Sequence, residues 1–348
     1  MAVPIYFRYR WALDDSSVRI HGTGLPVTIR RTPRTVGRFV RLEDESDGWA
    51  VEAAVKAEVN DVPASHLRDI ADRRLPEAAD RSKDSAGNVQ YWLDGETDVL
   101  TIVVLPGETR DAVEFWEKDL SEQARRLMEL ARWVTNPARA HKPFKHGGLE
   151  FSVDKDRWHR APRQPPDAPM DLRIDDGVPL GNIDWLVLAE MASNGDWEPA
   201  GHDLIREALS HIHSSQRSAV VLGAAAAETA VKEAIHRLAP NATYLVDETQ
   251  SPPIVKLLSH YLPSLECRSR LGMNFLPPPR DIRRSLEWLI KTRNEVVHNR
   301  QQRHRFPELL PALLHCRDLI WLLDCYCGYD WAIHHVSQAT REAMLANN

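Results

Sequence analysis

The chain is poor in cysteine, with four in 348 residues, and three of these (Cys316, Cys325, Cys327) crowd one C-terminal segment that reads as helix. That placement excludes a disulfide framework and suits reduced core thiols. Long apolar runs are missing as well. The longest small-apolar stretch, Ser218 to Ala227, is bounded by Arg217 and Glu228, far short of the roughly 20 residues a membrane span needs. Met1 to Trp11 carries Arg8 and Arg10 and alternates apolar with polar residues, so it lacks the unbroken core of a secretory signal. The expected location is the cytoplasm, with no membrane partner. No glycine-rich phosphate loop follows a strand, since Gly22-Thr23-Gly24 alone is not enough. There is no nucleophile elbow and no kinase or metalloprotease signature, so enzyme classes outside phosphodiester chemistry lose support. Positive charge is in deficit: the formal net charge is −6, and phosphates are repelled by the molecule as a whole. Any contact with a nucleic acid must come from a local basic patch.

What is present, 43% hydrophobic and 27% charged residues over 348 positions, is the composition of a chain that buries a core in each of two domains. The first half reads as sheet with added helices. Tyr6 to Leu13, Pro26 to Arg31, Trp49 to Val59 and Asp98 to Leu105 are rich in β-branched or aromatic residues. Trp49, Val51, Ala53, Val55, Ala57 and Val59 recur at period two, which suits a half-buried strand. Ala64 to Arg74 reads as a short helix. From Thr109 to Val134, Val113, Trp116, Leu120, Leu127, Leu130 and Val134 recur at helical spacing, and the pattern stops before Pro137. Leu149 to His159 reads as a hairpin around Asp154-Lys155-Asp156. Arg160 to Pro179 holds five prolines among charged residues and is the expected linker. Beyond it, Ile183 to Ala192, Ala200 to Ser214, Ser218 to Leu238, Pro253 to Leu262, Arg280 to His298 and Pro307 to Tyr326 all read as helices. The expectation is therefore an α+β chain: a β-rich α+β domain over residues 1–160, a proline-rich linker over 161–180, and an all-α bundle over 181–348.

Chemistry concentrates on the Arg280–His298 helix. Ile282, Leu286, Leu289, Ile290, Val296 and Val297 make one stripe, and Arg293 falls on it. A guanidinium facing a core or interface needs a partner, so the position hosts an ion pair or faces a cavity that expects an anion. Asn294 and His298, four apart, share the adjoining face. Around them Lys291, Arg293, Arg300, Arg303 and Arg305, with His298 and His304, oppose the single acid Glu295. This is a basic island in an acidic chain. Lys291, Arg300, Arg303 and Arg305 are the expected anion-binding residues, and the resemblance that follows implies that the anion is RNA.

The segment Arg293-Asn294-Glu295-Val296-Val297-His298, an arginine, a polar residue, three further residues and a histidine on a late helix, resembles the signature of the HEPN superfamily. The Ala-rich helix with Glu228 as its single acid also resembles a HEPN core helix. The bare spacing recurs at Arg206 with His211 or His213, and at Arg139 with His146, but without an asparagine after the arginine. The resemblance covers roughly Ile183 to Leu345, and the first half resembles no family. It implies a bundle that dimerises, setting two motifs around one cleft, and a metal-independent endoribonuclease without cofactor. Cleavage would use the RNA's own 2′-hydroxyl, with His298 as general base or acid, Arg293 stabilising the phosphorane and Asn294 orienting the phosphate or the histidine. Such proteins serve as toxins or antiviral defence effectors. The first domain would then sense a regulatory ligand or partner protein, or recruit substrate.

Other readings stand beside these. Arg293 in an ion pair with Glu228 or Glu287, and His298 at a helix end interacting with its dipole, describe a catalytically inactive nucleotide-binding, RNA-binding or protein-interaction module. Glu228 is expected to orient Arg293 rather than to act as a catalytic acid. Cys316, Cys325 and Cys327 with His315, His334 and His335 have no tight zinc spacing.

Overall fold

The computed structural model describes residues 2–13, 19–21, 26–41, 49–72, 90–94, 100–105, 107–135, 144–162, 182–242, 248, 253–272, 276–298 and 306–346. It is an α+β chain in two units, one of Met1–Thr135 with His141–Trp197, the other built on Glu198–Asn348.

The first unit is organised by a six-stranded antiparallel sheet. In chain order its elements are β1 (Ala2–Leu13), β2 (Arg19–His21), β3 (Val27–Arg30), β4 (Thr35–Arg41), β5 (Trp49–Asn60), α1 (Asp61–Ala71), β6 (Gln90–Asp94), β7 (Leu100–Val104), α2 (Gly107–Thr135), β8 (Phe144–Ser152), β9 (His159–Arg160), β10 (Asn182–Asp184) and α3 (Trp185–Asn194). The large sheet runs β3-β4-β5-β1-β8-β9, while β10 pairs with β2 and β6 with β7. In β1 and β5 the side chains alternate as the sequence requires. Ile5, Phe7 and Tyr9 of β1, with Val51, Ala53, Val55, Ala57 and Val59 of β5, are buried, and α1 and α2 pack on these strands. Trp116 of α2 stacks on Phe7 at 5.7 Å between ring centres. Gly37 of β4 lets Leu127 of α2 come close, since a Cβ there would stand 2.4 Å from the leucine Cδ1. The expected hairpin after Leu149 is present, with Phe151 paired to His159 and Lys155 at φ 76° in the turn.

The first unit extends past the expected boundary of residue 160, to Trp197. Arg126, buried in α2, explains why: its guanidinium donates to the carbonyls of Asp196 at 2.9 Å, Ala192 at 2.9 Å and Ile29 at 3.3 Å. Trp185 of α3 is buried edge-on against Phe39 of β4. The segment placed with the bundle on its helical pattern is thus held by the sheet domain. Most of the expected linker, residues 163–179, lies outside the described residues.

The second unit contains α4 (Ala200–Ser210), α5 (Gln216–Leu238), α6 (Arg280–His298), α7 (Leu309–Tyr326) and α8 (Gln338–Ala346). Ser215 caps α5 by accepting from the Ser218 amide. This helix contacts α4, α6 and α7, and its small residues Ala219, Gly223, Ala226, Ala227 and Ala230 are the means. All five are buried, and Gly223 takes the Leu313 side chain of α7 against its backbone. Where one regular helix was expected over Pro253–Leu262, the chain instead makes an α turn at Ile254–Lys256, a wider π turn at Leu257–Tyr261 and a tight turn at Leu262–Ser264. Pro263 has no amide hydrogen to continue an α ladder. No described helix is long and apolar enough to cross a membrane.

Candidate functional site

The helix α6 begins at Arg280, as expected from its sequence, and runs through His298, the last described residue of this stretch. Its buried residues are Ile282, Leu286, Leu289, Thr292 and Val296. Thr292 rather than Arg293 therefore completes the inward stripe, and Val297, expected on it, is 54% exposed. Arg293 sits at the margin of the stripe, its side chain 28% exposed. One step of rotation around the helix separates the two outcomes, and a threonine is far cheaper to bury than a guanidinium.

Glu228 of α5 faces Arg293. Its carboxylate lies 3.5 Å from the Arg293 Nη2 and 3.4 Å from the Nζ of Lys232, one turn further along its own helix. At 21% exposure this carboxylate is shared between two cations in a partly solvated site, so the pair is a loose one. Of the two acids considered for Arg293, the ion pair is made with Glu228.

Asn294, His298 and Lys291 are exposed on α6. Five residues apart on a regular helix, Arg293 and His298 differ by roughly 140° around the axis and about 7.5 Å along it. A single copy of the helix therefore separates the guanidinium from the imidazole. Arg300, Arg303 and Arg305, expected to bind RNA, lie outside the described residues.

A residue not singled out in the sequence joins this end of α6. Arg217, in the first turn of α5, donates from Nη2 to the Val296 carbonyl at 2.9 Å. Next to it, Gln216 accepts from the Phe306 amide at 3.2 Å. Arg217 thereby brings a second guanidinium to the last turn of the motif helix, where the carbonyl ends of the helix favour a cation. Its signal was visible only as the charge that bounds the Ala-rich run. Apolar Val221 of α5 and Val297 of α6 are 37% and 54% exposed. They lie one turn beyond Arg217 and Arg293 respectively, so each shares its arginine's side of the helix.

The alternative matches to the spacing fare differently. Arg206 is buried and ion-paired with Glu198, which makes it structural, and Arg139 lies outside the described residues. Cys316 and Cys327 point their thiols toward the Gly223 and Ala234 carbonyls, and burial pushes both up to about 12. His315 bonds Ser285 of α6 through Nδ1 at 2.7 Å.

A second polar cluster lies where α4, α5 and α7 meet. His202 Nε2 and Asp324 are 2.7 Å apart and buried, with the Trp321 ring 4.1 Å from the imidazole. Glu233 accepts from the Ala200 amide at the start of α4 and lines a water-sized cavity with Arg237 and Asp324. Burial raises the Glu233 carboxyl above the ordinary carboxylate range, against the lowering influence of the α4 amides and Arg237. Among the described residues, this cluster opens on no space that would admit a substrate.

Comparison with family models, with curated proteins and with solved structures gave no match to this chain.

Proposed function

We propose that the second unit is a HEPN-like helical domain following a β-rich first domain, and that it acts as a metal-independent endoribonuclease when two copies pair. The observation that carries the reading is the location of the Arg293-Asn294-x-x-x-His298 motif. It occupies the last described turns of an amphipathic helix, with Arg293 paired to an acid of the Ala-rich helix and Arg217 added at the same end. The flanking Val221 and Val297 offer apolar surface for a second copy. Two-fold pairing would bring the arginine of one chain toward the histidine of the other, removing the separation imposed by one helix.

In the reaction, the ribose 2′-hydroxyl gives its proton to a base and attacks the adjacent phosphorus. The bond from phosphorus to the 5′ oxygen breaks, and the leaving oxygen takes a proton, giving a 2′,3′-cyclic phosphate and a 5′-hydroxyl. His298, exposed and carrying an imidazole that can accept or donate a proton, serves one of the two proton transfers. Arg293 exchanges part of its loose contact with Glu228 for the charge developing on phosphorus, and Asn294 positions the phosphate. A toxin or antiviral effector is the role this chemistry suits.

A second reading is favoured by one observation: Glu228 already satisfies Arg293 within a single chain, as in a non-enzymatic module that binds nucleotide or protein. Expression separates the two. The wild-type chain should arrest growth and degrade cellular RNA, and Arg293→Ala and His298→Ala should each relieve the arrest while giving unchanged circular dichroism. Harmless wild-type protein with intact RNA would reject the nuclease and favour the binding module.

A further inference from the structure

Among the described residues, helices cover one face of the large sheet, and the other face has an unusual composition. Strand register places Arg38, Glu52 and Arg10 in one row across β4, β5 and β1, and Ala54, Arg8, Glu150 and Arg160 in the next across β5, β1, β8 and β9. Lys56 and Tyr6 follow in a third row, and Glu58 with Pro4 in a fourth. Glu52 is buried beneath the arginines: its carboxylate takes Nε of Arg10 at 2.7 Å and Nε of Arg38 at 2.7 Å, and Arg8 stands 4.0 Å away while bonding Glu150. Two carboxylates thus bind three guanidinium groups. Each guanidinium carries five N–H donors, more in total than Glu52 and Glu150 can accept. Around this ladder Lys56 and Arg160 are exposed, so cations outnumber acids among the described residues of the face although the whole chain is acidic. Two aromatic rings lie among them. Arg8 covers Trp158 at 3.9 Å and Lys155 covers Tyr6 at 4.8 Å from the ring centre. The nearby acid Asp154 is turned onto its own loop, accepting from the amides of Asp156 and Arg157.

We propose that this cation-rich face of the sheet binds single-stranded RNA, with phosphates on the surplus guanidinium and lysine charge and unpaired bases against Trp158 and Tyr6. The choice of RNA rests on the nuclease reading of the second unit, whereas the surface itself does not. Aromatic rings interleaved with cations fit a strand whose bases are free to stack. Planar guanidinium forks fit phosphate oxygens. An acidic peptide would use the cations and leave the rings without a role.

The test uses the full-length chain carrying His298→Ala, so that RNA is not consumed, with fluorescence anisotropy of a labelled 12-nucleotide single-stranded RNA. Trp158→Ala should weaken binding about tenfold, and Trp158→Phe should restore most of it. Lys56→Glu with Lys155→Glu should weaken binding and flatten its logarithmic salt dependence by about 0.7 for each phosphate no longer engaged. Duplex RNA and polyglutamate should compete poorly. Wild-type protein that binds this RNA through the face but does not cleave it would sink the nuclease reading and not the surface. Equal affinity in the face variants, equal competition by polyglutamate, or no binding at low salt would each overturn the proposal.

Discussion

Replacing Gly223 by alanine probes how closely α5 and α7 approach one another. A Cβ at this position would stand 2.3 Å from Leu313 Cδ2, whereas carbon atoms rest at about 3.5–4.0 Å. Leu313 is fully buried, and the Cys316 thiol meets the Gly223 carbonyl at 3.5 Å just beside it, so the leucine has little room to retreat. Overpacking of this kind costs about 1–3 kcal/mol. Alanine in a helix interior returns about 1 kcal/mol relative to glycine. The two together leave a net loss of about 1 kcal/mol, which lowers the melting temperature of a domain this size by about 2–4 °C. The assay is thermal unfolding followed by helical circular dichroism, on the single variants and on Gly223→Ala with Leu313→Ala. Removing the leucine side chain makes room for the new methyl, so the double variant should be less destabilised than the sum of the singles, by about 1 kcal/mol. A Gly223→Ala protein that melts above wild type, as helix propensity alone would dictate, would show that the two helices do not meet this closely.

Other consequences are equally open to measurement. Arg206→Ala takes the positive charge away from the Glu198 carboxylate, whose side chain is 4% exposed, and should cost about 3–5 kcal/mol in chemical denaturation. Arg206→Met combined with Glu198→Gln removes both charges at similar volume and should recover most of that loss; a double variant as unstable as Arg206→Ala would contradict it. Glu228→Gln, by contrast, removes a partly exposed ion pair and should shift stability by less than about 1 kcal/mol. Because burial raises the Glu233 carboxyl, the folded state holds its proton more tightly than the unfolded state. Its contribution to stability is therefore present below the ordinary carboxylate range and lost as pH rises through the raised value. Glu233→Gln should remove that loss, read as a flatter melting temperature from mildly acid to neutral pH. In native protein a thiol reagent should reach the partly exposed Cys267 first, with Cys316, Cys325 and Cys327 reacting only on unfolding; rapid modification of all four would contradict their burial.

Much of this architecture was written in local patterns. The alternation from Trp49 to Val59 and the helical spacing from Thr109 to Val134 each mark a two-faced element, and both elements are present with their apolar faces buried. Strand β4 was not legible, because Gly37 has little strand preference and its value lies in the approach of Leu127 from another element. The assignment of α3 to the sheet domain was hidden for a related reason: Arg126 reaches it across 66 to 70 positions of sequence. At the candidate site, the start of the helix could be read from spacing and charge, whereas the sequence left Glu228 and Glu287 both open as partners of Arg293. The inward turn of Thr292 and the approach of Arg217 could not be read, since both depend on how α5 packs against α6.

If Arg293 and His298 together cleave RNA through its 2′-hydroxyl, the sugar decides the outcome. The decisive experiment incubates the purified full-length chain with a single-stranded RNA in excess EDTA, beside the same oligonucleotide with 2′-deoxyribose throughout. RNA alone should yield fragments ending in cyclic phosphate, with none from the deoxy strand and none from Arg293→Ala or His298→Ala protein. Cleavage of the deoxy strand, or undiminished cleavage by either variant, would rule the proposed chemistry out.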